Sequence, residues 1–244
     1  MGAIRINNLR KEYKDVVAVD NLNLTIEEGE LFSLLGVNGA GKTTTIKMLS
    51  TLTKSTSGEA YIYDYSISED EDRIKELIDV SMQETAIARK LTVEENIEFY
   101  AKLSGQSKEE VEECKKEIYE AFGLDKVKGK QASKLSGGWQ RKLSIALALV
   151  TKPKVLFLDE PTLGLDVIAR RELWNTIKGL KGKMTIILTT HYMEEAEALS
   201  DRIGIMKDGS LLFVGTKEEL FSETNKNSVE EAFIHIVSGG ELNE

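Results

Sequence analysis

One cysteine, Cys114, stands in 244 residues, so no internal disulfide can form. Its setting in the charged run EEVEECKKEIYE reads as an ordinary reduced helical thiol. Positive charge is also scarce, with 32 Lys and Arg against 41 Asp and Glu and a net charge of -9. That balance excludes the broad basic face of a general nucleic-acid binder, so no nucleic-acid partner is expected, yet a local anion site remains open. Long apolar runs are missing too. Stretches such as LSIALALV fall far short of the roughly 18 residues a membrane span requires, so no direct membrane insertion is expected. The opening MGAIRINNLR lacks a signal-peptide core, and Ile6 occupies the place where a myristoylation motif carries Ser or Thr. No internal repeat or low-complexity segment occurs. A soluble cytosolic chain is expected. What is present, 41% hydrophobic and 30% charged residues, suffices for one large domain or two small ones sharing a core.

The first segment, IRINNLRKEYKDVVAVDNLNLTI, alternates apolar and polar residues and reads as strands ending at the turn EEGE. LFSLL is a continuous apolar strand, suited to burial on both faces in a parallel sheet. Further strands are expected at GEAYIYDYSI, IDVSMQ, PKVLFLDE and MTIILTTH, with a hairpin over RIGIMKDGSLLFVG turning at Asp208 and Gly209. Between Gln83 and about Lys152 the pattern changes to helical periodicity. Thr92 through Glu95 forms a capping box, and KEEVEECKKEIYEAFG ends on Gly123, a C-cap. The charged face KEEVEECKKE is expected to face solvent. The expectation is therefore an α/β domain with a helical insertion over about 84–152, core segments 1–83 and 153–222, and a helical tail over 223–244. In that tail Val229, Ala232, Phe233 and Ile236 share one helical face, and His235 is structural.

LFSLL runs directly into GVNGAGKTTT. Gly36, Gly41, Lys42 and Thr43 meet the pattern G-x-x-x-x-G-K-[ST] between a strand and a helix, as a P-loop requires. Glycines let successive amides point inward, and the helix N-terminus adds partial positive charge, which together cradle phosphate. Lys42 would reach the β- and γ-phosphates and the Thr43 hydroxyl would ligate Mg²⁺. A dinucleotide fold fits poorly, because GAGKTT breaks G-x-G-x-x-G at its last position. Farther on, VLFLDEP places Asp159 and Glu160 at the exit of a buried strand. One carboxylate can hold Mg²⁺ and the next can take a proton from an attacking water, so Asp159 is assigned to the metal and Glu160 to the base. In LSGGWQRK, Ser136 can cap a helix while Gly137 and Gly138 leave amides bare, giving a second anion site.

These motifs stand in one order: GVNGAGKTT, Gln83 in SMQE, LSGGWQ, VLFLDEP, GLD at 164–166, and His191 in TTHYMEEA. From about Ile4 to Leu220 the chain resembles the ATP-binding subunits of ABC transporters. DEPTLGLDVIARRELW and TTHYMEEAEALSDRIGIM look most like the drug-resistance and ABC-2 exporter branch. The resemblance implies a P-loop NTPase (RecA-like) core with a mainly parallel sheet, an N-terminal antiparallel β region and an inserted helical subdomain. It implies ATP and Mg²⁺ as cofactors. ATP would be held by Gly36, Asn38, Gly39, Ala40, Gly41, Lys42, Thr43 and Thr44, with Tyr13 stacked on adenine. Gln83 would link Mg²⁺ and the attacking water to the helical insertion, and His191 would contact the γ-phosphate. Ser136, Gly137, Gly138 and Asp166 would act at the neighbouring subunit.

Two features depart from the family pattern. Trp139 replaces the usual signature glutamine, but the preceding serine and glycines supply the anion contacts, so activity is expected to survive; Val37 and Val167 stand where proline is frequent, which loosens backbone preference without removing a donor. The resemblance further implies head-to-tail pairing with a second ATP-binding subunit, as homodimer or heterodimer, and transmembrane permease subunits docked on the helical insertion. The chain would then lie in the cytoplasm on the inner face of the cell membrane and power export. A soluble ABC-type ATPase of ribosomes, DNA repair or cofactor assembly is the alternative; a small-molecule P-loop kinase would leave LSGG and His191 unexplained.

Overall fold

The computed structural model describes residues 2–239, so residues 240–244 of the expected tail lie outside the described residues. Alternation in the first segment produces β1 (Gly2–Tyr13) and β2 (Val16–Glu27), which pair antiparallel with Ile6 opposite Leu24 and Leu9 opposite Leu22. β4 (Ser57–Ile62) and β5 (Tyr65–Ser66) complete a four-stranded antiparallel sheet in the order β2-β1-β4-β5. GEAYIYDYSI is thus two strands rather than one. Tyr63 takes φ 52, and the turn it makes folds Tyr65 back onto Ile62.

The second sheet joins β3 (Leu31–Leu35), β6 (Ile78–Ser81), β7 (Val155–Asp159), β8 (Thr185–Thr190), β9 (Arg202–Lys207) and β10 (Ser210–Gly215). Its order is β10-β9-β3-β8-β7-β6, parallel throughout except for β10. β10 returns through Asp208 and Gly209, whose φ angles of 47 and 81 make the expected hairpin turn. Every residue of β3, β7 and β8 is buried, which is why their sequences run apolar without alternation. One apolar core, including Ile4, Phe32, Ile46 and Phe157, ties the two sheets together.

The described α-helices are α1 (Lys42–Leu49), α2 (Glu71–Lys75), α3 (Val93–Leu103), α4 (Lys108–Phe122), α5 (Gly137–Ala148), α6 (Val167–Lys178), α7 (Met193–Leu199), α8 (Lys217–Thr224) and α9 (Val229–Val237). Thr92 and Glu95 form the expected capping box on α3, Ser107 and Glu110 form another on α4, and Gly123 ends α4 at φ 65. The α4 face is not wholly solvent-facing. Val111, Cys114 and Lys115 are buried, and the Lys115 ammonium reaches Glu94, Glu98 and Glu112 at 3.2, 2.9 and 2.7 Å, pinning α4 to α3. The expected boundary at residue 222 falls inside α8. Val229, Ala232 and Phe233 of α9 are buried against the body, with Ile236 partly so.

Candidate active site

β3 ends at Leu35 and the chain turns through residues 36–41 into α1. Gly41 holds φ 104, and a Cβ there would stand 2.4 Å from the Ala18 carbonyl oxygen. A Cβ on Gly36 would stand 2.5 Å from the Met206 carbonyl oxygen. Both positions are closed to any side chain, so the glycines of the motif are a steric requirement of the fold. Gly41 also leaves α1 without a side-chain cap, and no acidic residue lies in its first turn. Among the described α-helices, only α1 and α5 lack both a capping side chain and a first-turn acid. Free amides and an uncompensated helix dipole therefore occur at the two glycine-opened helices.

The Lys42 side chain is 4% exposed and curls over this loop, donating to the carbonyls of Gly36 at 2.7 Å and Val37 at 3.1 Å. Burial pulls the Lys42 ammonium below its ordinary pKa, while Glu160 and Asp159 hold it up. Asp159, 1% exposed at the end of β7, accepts from Thr43 Oγ1 at 3.0 and 3.1 Å and from Thr189 Oγ1 at 2.6 Å. No lysine or arginine among the described residues is in ion-pair contact with it. Its direct hydrogen bonds come from the two threonine hydroxyls, and carboxylate with threonine hydroxyl is a hard oxygen set suited to Mg²⁺.

Glu160 follows at φ 45, a left-handed conformation costing a non-glycine residue about 1 kcal/mol or more. Its amide is held by Thr189, through the carbonyl and the hydroxyl, each at 3.1 Å. The turn aims the carboxylate back toward the P-loop, with Oε1 3.7 Å from Lys42 Nζ and Oε2 3.2 Å from His191 Nδ1. The His191 contact does not meet hydrogen-bond geometry, since Nδ1 is buried without a partner.

Sequence reasoning does not single out Arg141, which organises these elements from α5. Its guanidinium donates to the carbonyls of Pro161 at 2.7 Å, Met82 at 2.5 Å, Gln83 at 3.1 Å and Asp159 at 2.9 Å. Burial draws its pKa down to about 10, leaving it charged at neutral pH. The one available signal was an arginine inside a helix that is otherwise buried nearly all round.

A cavity of about 500 Å³ collects most of the sequence-assigned residues: Tyr13, Asn38, Gly39, Ala40, Gly41, Lys42, Thr43 and Thr44 on one side, Gln83, Glu160 and His191 on the other. Tyr13 is 44% exposed at its rim, with the Lys11 ammonium 4.8 Å from its ring centre. Gly36 lines a smaller neighbouring cavity with Asn38 and His191. Ser136, Gly137, Gly138 and Asp166 do not line the larger cavity. Ser136 occupies the N-cap of α5, but its side chain makes no cap hydrogen bond, contrary to the expectation that it caps. Ser136 is exposed. Gly138 is close to α6, where a Cβ would meet Ala169 Cβ at 3.0 Å. Asp166 caps α6, accepting from the amides of Ile168 at 3.0 Å and Ala169 at 2.9 Å.

The ABC transporter family model matches residues 19–163. The human phospholipid-transporting ATPase ABCA3 is 44% identical over 220 residues, covering 88% of this chain and 13% of that protein. The linearmycin resistance ATP-binding protein LnrL of Bacillus subtilis (strain 168) is 37% identical over 227 residues, covering 93% of this chain and 73% of LnrL. The chain spans 13 to 26% of the length of the longer curated relatives it matches. Among solved structures, a dimeric ATP-binding cassette in a post-hydrolysis state, bound to ADP and Pi, superposes with a TM-score of 0.77 and 28% identity over 87% of this chain and 98% of that one. The chain belongs to the ABC transporter family and is one of its ATPase domains.

Proposed function

We propose that this chain powers export across a membrane, hydrolysing ATP between two ATP-binding subunits and passing the work to separate transmembrane subunits. In this reading the P-loop amides and Lys42 bind the β- and γ-phosphates, Tyr13 stacks on adenine, and His191 contacts the γ-phosphate. Thr43, Asp159 and Gln83 would hold Mg²⁺, which when bound neutralises charge on the phosphate oxygens. Glu160 takes a proton from water as its oxygen attacks the γ-phosphorus and the bond to the β-phosphate oxygen breaks, giving ADP and phosphate.

The observation that carries the paired arrangement is the separation of the two bare helix ends. The N-terminus of α1 opens into the cavity, whereas Ser136, Gly137 and Gly138 at α5 lie outside it and leave an exposed serine and free amides. Two chains set head to tail would close each nucleotide between α1 of one and α5 of the other, with Asp166 at the same junction. ATP then favours the closed pair because only there does it touch both halves, and hydrolysis removes that preference.

No helix among the described residues is long and apolar enough to cross a membrane. In this reading permease partners carry the substrate, with this chain held against the inner membrane face. The helical insertion over α3 to α5 is the docking surface in this reading, because Gln83 precedes it and Ser136 lies within it, so both nucleotide contacts can report to it. Export as the direction is supported by the likeness to a resistance protein. The test is co-purification with a multi-span membrane protein, followed by translocation assays in vesicles with wild-type chain and Lys42→Ala. Loss of ATP-driven transport in Lys42→Ala is expected; transport at the full wild-type rate would overturn the proposal.

A further inference from the structure

We infer that α9 buttresses the switch loop, and that Phe233 is a positioning residue which sets His191 for ATP hydrolysis. The inference rests on the reading of His191 as the γ-phosphate contact. Three observations carry it.

The first is what fixes the histidine ring. His191 Nδ1 is buried 3.2 Å from Glu160 Oε2 without meeting hydrogen-bond geometry, and the ring lies 4.1 Å from that of Tyr192 at a tilt. A side chain located by packing and one carboxylate contact, with no well-formed hydrogen bond, shifts when the wall of the cavity beside it changes. The second is the neighbouring cavity of about 230 Å³, whose walls are Gly36, Val37, Asn38, His191, Met193 and Phe233. The tail helix thus reaches the space that also borders the histidine and the start of the phosphate loop. The third is the continuity of the packing. Phe233, only 4% exposed, belongs to one apolar cluster with Val229, Ala232, Leu35 at the end of β3 and Ala196 of α7, and Met193 packs on it. The same cluster therefore touches the strand that launches the phosphate loop and the helix that follows His191. Lys207 Nζ donates to the Val237 carbonyl at 2.7 Å, fastening the far end of α9 to β9.

The geometry gives the tail a role that charge or direct contact with nucleotide would not. Truncating Phe233 enlarges the cavity beside His191 and frees Met193, so the imidazole loses its fixed placement while the Lys42 cradle keeps its own hydrogen bonds. Turnover should suffer more than ATP affinity.

The experiment measures kcat and KM for ATP hydrolysis in Phe233→Ala, Phe233→Leu and Ile234→Ala, each with His191 intact and with His191→Ala. Ile234 is 42% exposed on the same helix and serves as the control. Phe233→Ala is expected to lose about tenfold in kcat with KM changed less than about twofold, the size of effect a small misplacement gives. Phe233→Leu should lose less, about threefold, and Ile234→Ala nothing. In the His191→Ala background the Phe233 effect should vanish, because the two act as one unit. Should Phe233→Ala not fold, Phe233→Leu gives the same comparison.

Wild-type kcat in a folded Phe233→Ala, or an equal loss in both backgrounds, overturns the inference and leaves the reading of His191 standing. Unchanged turnover in His191→Ala alone would instead sink the reading of His191, and this inference with it.

Discussion

Lys42 Nζ stands 2.7 Å from the carbonyl of Gly36, six residues before it, and 3.7 Å from Glu160 Oε1, which arrives from another strand of the sheet. The loop thus folds its own cation over the bare end of α1. Burial pulls the pKa of that ammonium down, and the carboxylates of Glu160 and Asp159 oppose the pull. Lys42→Ala removes the one lysine lining the cavity and strips Glu160 of a partner. ATP affinity should fall about 100-fold, equivalent to about 3 kcal/mol, in a fluorescent-nucleotide titration. An unchanged Kd would show that the backbone amides alone hold the phosphates.

Glu160→Gln tests chemistry separately from binding. Glutamine preserves the shape of the side chain held between Lys42 and His191 but cannot accept a proton as a base. Turnover should drop about 10²- to 10⁴-fold while nucleotide affinity remains. With hydrolysis blocked, size-exclusion chromatography in ATP should show a nucleotide-bound dimer that the wild type leaves after turnover. Normal turnover in Glu160→Gln removes Glu160 from the role of base.

The sequence expectations that match the structure concern residues whose place is fixed within a few positions of the chain. Gly36 through Thr43 form one continuous loop, and Asp159, Glu160 and His191 follow directly from strands whose apolar runs announce them. Ser136 shows the limit of local reasoning. A serine before two glycines has the pattern of a cap, yet the Ser136 side chain makes no cap hydrogen bond, and nothing in the local pattern signals that. Nor does the run YMEEAEAL betray that Glu195 is fully buried, accepting from Trp174 Nε1 at 2.9 Å. Burial there lifts its carboxyl above the usual range. Arg141 is hidden for the same reason: its four acceptors lie between 18 and 59 positions away and come from two strand exits.

Arg141 should matter to stability well beyond an average buried arginine. Its guanidinium supplies donors to four carbonyls at the exits of β6 and β7, and its planar fork spans them as a single ammonium cannot. Arg141→Met keeps the apolar stem and leaves those carbonyls short of donors, so unfolding free energy should fall by about 3 to 5 kcal/mol. Arg141→Lys should recover only part of it. Urea unfolding of the two variants checks this, and a loss under about 1 kcal/mol for Arg141→Met would mean that water replaces the clamp.

Asp79 supplies a pH-dependent prediction outside the active site. It is partly buried in β6, accepting from its neighbour Val80 N at 2.7 Å and from Thr151 Oγ1 at 3.2 Å, and burial pushes its carboxyl from 3.8 up to about 6. Because the folded state holds this proton more tightly than the unfolded chain, the stability it contributes is complete below about pH 3.8 and is lost as pH rises through about 6. At pH 8 the buried carboxylate is therefore a net cost. Asp79→Asn removes the charge and keeps an acceptor for the Val80 amide. Stability should rise by about 1 to 2 kcal/mol at pH 8, a figure reduced from the full shift because the group is partly solvated, and the gain should shrink to about half by pH 5. Urea midpoints of both proteins at the two pH values measure it. A gain that is equal at pH 5 and pH 8 would place its origin in packing rather than in the ionisation of Asp79.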